Sequence, residues 1–119
     1  MREQIKEWLI NMPEPRGVLA VGVFFPDQTT LSKSFSPNYP IVTLEHTWRS
    51  VADLVRVLKV HRLPKRRMQW VYQHATLRCV AREDGLILGV FTTDESAEGV
   101  ESGAEALIGE FLSFLGSTD

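Results

Sequence analysis

The sequence predicts an α/β (α+β) fold: a three-layer α/β/α sandwich on a five-stranded, mainly antiparallel sheet, in the order α-β-β-α-β-β-β-α. Three observations lead there. Two Gly-containing runs, 17–25 and 86–91, are apolar on both alternating faces, so each reads as a central strand covered on both sides. Three other segments carry apolar residues at helical spacing, and they must divide between the two sheet faces to bury them. Asp84-Gly85, between apolar runs, marks a tight hairpin, because Gly tolerates positive φ.

Taken in order, Ile5, Trp8, Leu9 and Met12 form one stripe of a short amphipathic helix that Pro13 and Pro15 end. The first doubly apolar strand follows, then a turn at Pro26-Asp27-Gln28. Leu31, Lys33 and Phe35 alternate with Thr30, Ser32 and Ser34, which suits a more exposed partner strand. Ser36-Pro37-Asn38-Tyr39-Pro40 is a loop, since two prolines and an Asn leave no regular ladder.

The strongest helix signal runs from Thr43, a natural N-cap, to His61. Leu44, Trp48, Val51, Val55 and Leu58 alternate four and three apart, with Glu45, Arg49, Asp53 and Arg56 opposite. With Ala52 and Leu54 included, the apolar arc spans about 160°, wider than the ~100° stripe of a helix that covers one surface. Val57 and Val60 lie outside even that arc. The helix is therefore expected to need a second surface, and a homodimer interface of about 1,600 Å² would supply it.

Pro64 closes that segment. Met68, Trp70 and Tyr72 alternate with Gln69, Val71 and Gln73 as a strand with one apolar face; its edge is a candidate for pairing with a partner strand. Thr76, Leu77, Cys79 and Val80 belong to the next strand. The last helix carries Val100, Ala104, Leu107, Ile108, Phe111, Leu112 and Leu115, with Ser102 and Glu105 as an expected capping box and Gly116 as its stop.

Composition narrows the function classes. The 119 residues suit a single domain, with 44% hydrophobic and 24% charged residues and a formal charge of −2. Such a balance disfavours whole-surface nucleic-acid binding. A single cysteine, Cys79, excludes an internal disulfide and a Cys-rich zinc site. No apolar run approaches the ~18 residues of a membrane span, and the amino-terminal residues alternate charge with apolar groups, so a cytoplasmic location is expected. His46, His61 and His74 stand at no ligand spacing, and Asp27, Asp84 and Asp94 fall at turns. There is no Gly-x-Ser-x-Gly elbow, P-loop or dinucleotide fingerprint. Neither an enzyme nor a bound cofactor or metal is expected.

His61-Arg62-Leu63-Pro64-Lys65-Arg66-Arg67 is the one charge feature above background. As a solvated loop it needs no further role, and its cations suit a helix C-terminus. As a contact it would grip an acidic partner surface, a phosphate or, less favourably, an anionic membrane, at ~1 kcal/mol per basic residue near the lipid surface.

The order and lengths of these elements resemble the Roadblock family, the dynein light-chain and small-GTPase-regulator domain of profilin-like build. The resemblance spans Ile5 to Leu115. It is carried by Arg16-Gly-Val-Leu-Ala-Val-Gly-Val-Phe-Phe-Pro-Asp, by the long helix from Leu44, and by the meander of 68–73, 75–82 and 86–94. Asp27-Gln28 departs from the Asp-Gly often found at the family's first hairpin. The resemblance implies a homodimer formed through the second helix and third strand, which acts as a platform for a small GTPase or another NTPase or signalling assembly. The expected dimer interface is Leu44, Trp48, Val51, Val55, Leu58, Gln69, Val71 and Gln73. Candidate partner contacts are Arg49, Arg56, Lys59, Lys65, Arg66 and Arg67. The alternatives are a small-molecule sensor of profilin-like or PAS-like build, which needs a pocket between sheet and helix, and a secretion or assembly chaperone, which needs an exposed apolar groove.

Overall fold

In the computed structural model, which describes residues 2–15, 17–61, 67–72, 75–93 and 98–114, the expected element order is observed. It runs α1 (Arg2–Asn11), β1 (Val18–Phe24), β2 (Thr30–Ser34), α2 (Ile41–Val60), β3 (Arg67–Val71), β4 (Ala75–Ala81), β5 (Ile87–Thr93) and α3 (Glu98–Ser113). The strands form one antiparallel sheet in the order β2-β1-β5-β4-β3. The two Gly-containing strands, β1 and β5, are neighbours inside the sheet. Their residues bury on both faces because helices cover both.

Alternation along the strands sorts the core into two layers. Val21 and Val23 of β1, with Leu88 and Val90 of β5, face α1 and α3 and meet Ile5, Leu9, Leu107, Ile108 and Phe111. Ala20, Phe24, Leu77, Cys79 and Phe91 face α2 and meet Leu44, Trp48 and Val51. A register shift between Val18 and Ala20 places an extra residue in β1, so Leu19 packs towards the α2 side beside Ala20. Alternation of Leu31 and Phe35 with the serines of β2 holds as expected: both apolar side chains pack on the α1/α3 layer. Between them, Lys33 Nζ donates to the carbonyls of Ile10 and Met12 at 2.8 Å each, and so caps a helix end that has no basic residue of its own.

Local chemistry differs from expectation at three points. α2 begins at Ile41, with Pro40 at the N-cap (φ −67°, ψ 149°) and no side-chain cap; the Leu44 N–H bonds the Pro40 carbonyl at 3.1 Å. Proline's fixed φ starts the helix before Thr43 is reached, so Thr43 lies within the first turn. α3 begins at Glu98, which puts Ser102 inside the helix and not at its cap. At the first hairpin, Gln28 takes the left-handed conformation (φ 75°) that a Gly would occupy at less cost. Asp27 stabilises that turn by accepting from the Thr29 N–H at 3.0 Å and from the Thr29 hydroxyl. Gly85, at φ 93°, fills the corresponding place in the β4–β5 hairpin as the Asp-Gly step requires.

Candidate interaction surface

α2 is the element on which the expected interface rests, and its wide apolar arc is divided by the sheet. Leu44, Trp48 and Val51 are buried against the chain's own strands, with Trp48 only 3% exposed. They have no surface left for a second copy, so their assignment to a dimer interface is corrected. The reason is a trough in the sheet. Ser32, Gly22, Gly89, Cys79 and Met68 form one rung across all five strands, and the two glycines leave room for the indole. A Cβ on Gly22 would stand 2.0 Å from Trp48 Nε1, and one on Gly89 would stand 2.2 Å from Cζ3 of the same ring. The indole N–H is satisfied by Ser32 Oγ at 2.8 Å, and Phe91 packs beside the ring at 5.8 Å. Trp48 therefore fills the space between α2 and the sheet in which a sensor domain would hold a ligand.

The rest of the arc is not covered. Val55 and Leu58 are half-buried, while Leu54, Val57 and Val60 are exposed, Val57 to 50% and Val60 to 73%. At 100° per residue, Leu54 and Val57 share one flank with Thr43, Thr47, Ser50 and His61, a strip without a carboxylate, Lys or Arg. Glu45, Arg49, Asp53 and Arg56 occupy the opposite flank. Arg49, Arg56 and Lys59 are exposed, as expected of partner contacts, and Arg56 is engaged with Asp53 at 2.9 Å.

β3 is an edge strand. Met68 and Trp70 are half-buried, and Trp70 packs on the α2 layer. Arg67, Gln69 and Val71 alternate to the other side, all exposed, with Val71 at 74%. Arg67 bonds Glu105 of α3 at 3.0 Å and remains exposed. The interface candidates thus separate: α2 packs chiefly over β1 and β2 on one side of the sheet, and Gln69 and Val71 project on the other side from the β3 edge. Gln73, Lys65 and Arg66 lie outside the described residues, as do Arg62, His74 and Asp94.

The remaining chemistry-bearing groups do not assemble. Cys79 is buried mid-strand, and desolvation pushes its thiol up to about 12, which suppresses the reactive thiolate. His46 on α2 and His61, just past its C-terminal end, are exposed. Among the described residues no three His, Cys, Asp or Glu side chains gather as a metal would need, and no helix is long and apolar enough to cross a membrane.

A second surface feature has no counterpart in the sequence reading. α1 and α3 border an open trough of about 720 Å³ on the face of the sheet away from α2. Gln4, Glu7, Trp8 and Asn11 line it from one helix, and Gly103, Ala106, Leu107, Glu110 and Phe114 from the other, each set at i, i+3, i+4, i+7 spacing or close to it. Trp8 joins the walls: its Nε1 donates to Glu110 Oε2 at 2.9 Å, and its ring meets Phe114 edge-on at 5.6 Å. The facing stripes are present in the sequence, but nothing there brings together helices about a hundred residues apart.

Compared with protein-family models the chain matches none, and no curated protein matches it either.

Proposed function

We propose that the chain is a non-enzymatic, homodimeric adaptor that works in the cytoplasm without a cofactor and holds a small GTPase or another NTPase assembly by protein contacts. Two separate observations carry this reading: the uncovered apolar flank of α2, Leu54 and Val57, and a β3 edge that is unpaired among the described residues. Pairing β3 with its copy would satisfy that edge and continue the sheet, while the two α2 helices would cover each other's exposed valines and leucines. The interface set becomes Leu54, Val57, Gln69 and Val71, with Val55 and Leu58 at its margin. Arg49 and Arg56 on the charged flank of α2, and Lys59 near its C-terminal end, are exposed and remain as contacts for an acidic partner surface. Binding one conformer of that partner better than another shifts its population by no more than the difference in affinity.

Light scattering coupled to gel filtration tests the dimer. The expected result is a two-chain particle for the native protein and a one-chain particle for Val57→Glu, which changes an exposed position and leaves the core intact. A native protein that stays monomeric at high micromolar concentration removes the reading. Capture of nucleotide-loaded GTPases from the same host then tests the partner class, and failure in every nucleotide state counts against it.

A further inference from the structure

We propose that the trough between α1 and α3 is a docking site for a basic, amphipathic helical segment of a partner protein. It lies on the layer opposite α2, so it stands whether or not the chain dimerises.

The shape excludes some occupants. A drug-sized ligand is ordinarily enclosed over most of its surface, whereas this trough is largely open to solvent and suits a segment of polypeptide laid against it. Its floor is apolar, from Trp8, Met12, Leu107 and Phe114, and Gly103 with Ala106 adds little bulk, so a helix can approach closely.

Charge selects the sign of the occupant. Among the described residues, the ionisable groups that line the trough are Glu7 and Glu110, both exposed, and no cation lines it. α3 as a whole carries Glu98, Glu101, Glu105 and Glu110 and no Lys or Arg. Glu110 lies near its C-terminal end, where the helix dipole already favours a cation. A Lys or Arg entering there meets a carboxylate, the aromatic pair Trp8 and Phe114, and the dipole together, and its stem covers apolar floor. An acidic segment or an anionic membrane would be repelled by the same groups.

The test uses the full chain labelled with ¹⁵N and reads the three indole N–H signals in NMR, Trp8 being assigned by Trp8→Phe. The probes are a synthetic Leu/Lys amphipathic helix, its Leu/Glu counterpart and free lysine amide. The Leu/Lys helix is expected to shift the Trp8 indole and leave Trp48 unmoved, and the Leu/Glu helix is expected to do neither. The Glu7→Gln/Glu110→Gln double variant, which keeps an acceptor for the Trp8 indole, should weaken binding about tenfold, or 1.4 kcal/mol. Ala106→Arg, at an exposed helix position, should weaken it at least as much by placing bulk and like charge in the trough. Four results overturn the proposal: equal shifts with both helices, shifts confined to Trp48 or Trp70, saturation by lysine amide alone, and a Trp8 shift that follows protein concentration without peptide. The first means apolar capture without charge selection, the second another surface, the third a small-cation site, and the last a second copy as occupant.

Discussion

Trp48 lies across Gly22 of the neighbouring sheet so closely that its ring occupies the space where a side chain would begin. Its Nε1 reaches Ser32 on the next strand at 2.8 Å, which fixes the ring's direction as well as its depth. Three substitutions separate these effects. Ser32→Ala leaves a nearly buried N–H without its acceptor and is expected to cost about 1–3 kcal/mol. Gly22→Ala forces the indole out of its trough and should cost about 1–3 kcal/mol or more as overpacking. Trp48→Ala empties the layer and should cost about 3–5 kcal/mol. Urea unfolding at constant m-value measures all three; a neutral Gly22→Ala would show that the ring does not sit there.

Asp27 makes the first hairpin sensitive to acid. Its carboxyl is held below its usual value of 3.8, first by the Thr29 hydroxyl, then by the Thr29 N–H, with Arg2 nearby adding to both. A carboxylate whose folded pKa is depressed stabilises the folded state above its unfolded pKa and loses that contribution as pH falls through the folded value. The loss therefore begins near pH 4 and runs below it. Asp27→Asn should lower the melting temperature near neutral pH and flatten its fall below about pH 4, so that the difference between the two proteins shrinks as the solution is acidified. Thermal melts from pH 2 to 6 check it.

Cys79 behaves in the opposite sense at the alkaline end. Burial raises its thiol from 9.0 to about 12, so the unfolded chain ionises first as pH rises. Stability linked to this group is complete below pH 9 and declines between about 9 and 12. At pH 8 the native thiol should resist a disulfide reagent such as DTNB and titrate at once in denaturant. Rapid labelling of the native protein would place Cys79 at the surface.

Arg82 ties the β4–β5 hairpin to the end of α3. Its guanidinium, only 11% exposed, donates to the Phe111 carbonyl at 3.1 Å and to Asp84 at 2.7 Å, and stacks over the Phe111 ring at 5.4 Å. Arg82→Met keeps much of the stem and removes the charged bonds, at an expected cost of about 2 kcal/mol. Hydrogen exchange should show the loss as faster opening of the last turn of α3, and unchanged protection there would sink the assignment.

The number, order and type of the elements were legible from local chemistry, because side-chain alternation and helical spacing report which residues must leave water. Gly17–Phe25 and Leu86–Phe91 read as inner strands for that reason, and β1 and β5 lie side by side. Helix starts were less legible. Thr43 and Ser102 have the right chemistry for caps, but a cap is a conformation, and Pro40 reached it first at α2.

The amino-acid sequence alone determined that α2 is too apolar around its circumference to rest on one surface. It did not determine which part of that circumference the sheet covers. Only the strand order β2-β1-β5-β4-β3 decided that, by aligning Gly22 with Gly89 beneath Trp48, which buries the middle of the arc and leaves Leu54 and Val57 in water. The trough between α1 and α3 is tertiary in the same way: Trp8 and Glu110 are 102 residues apart, and no local spacing registers a contact that only chain folding creates. Periodicity measures how much surface each element must bury, and packing alone chooses the partner that buries it.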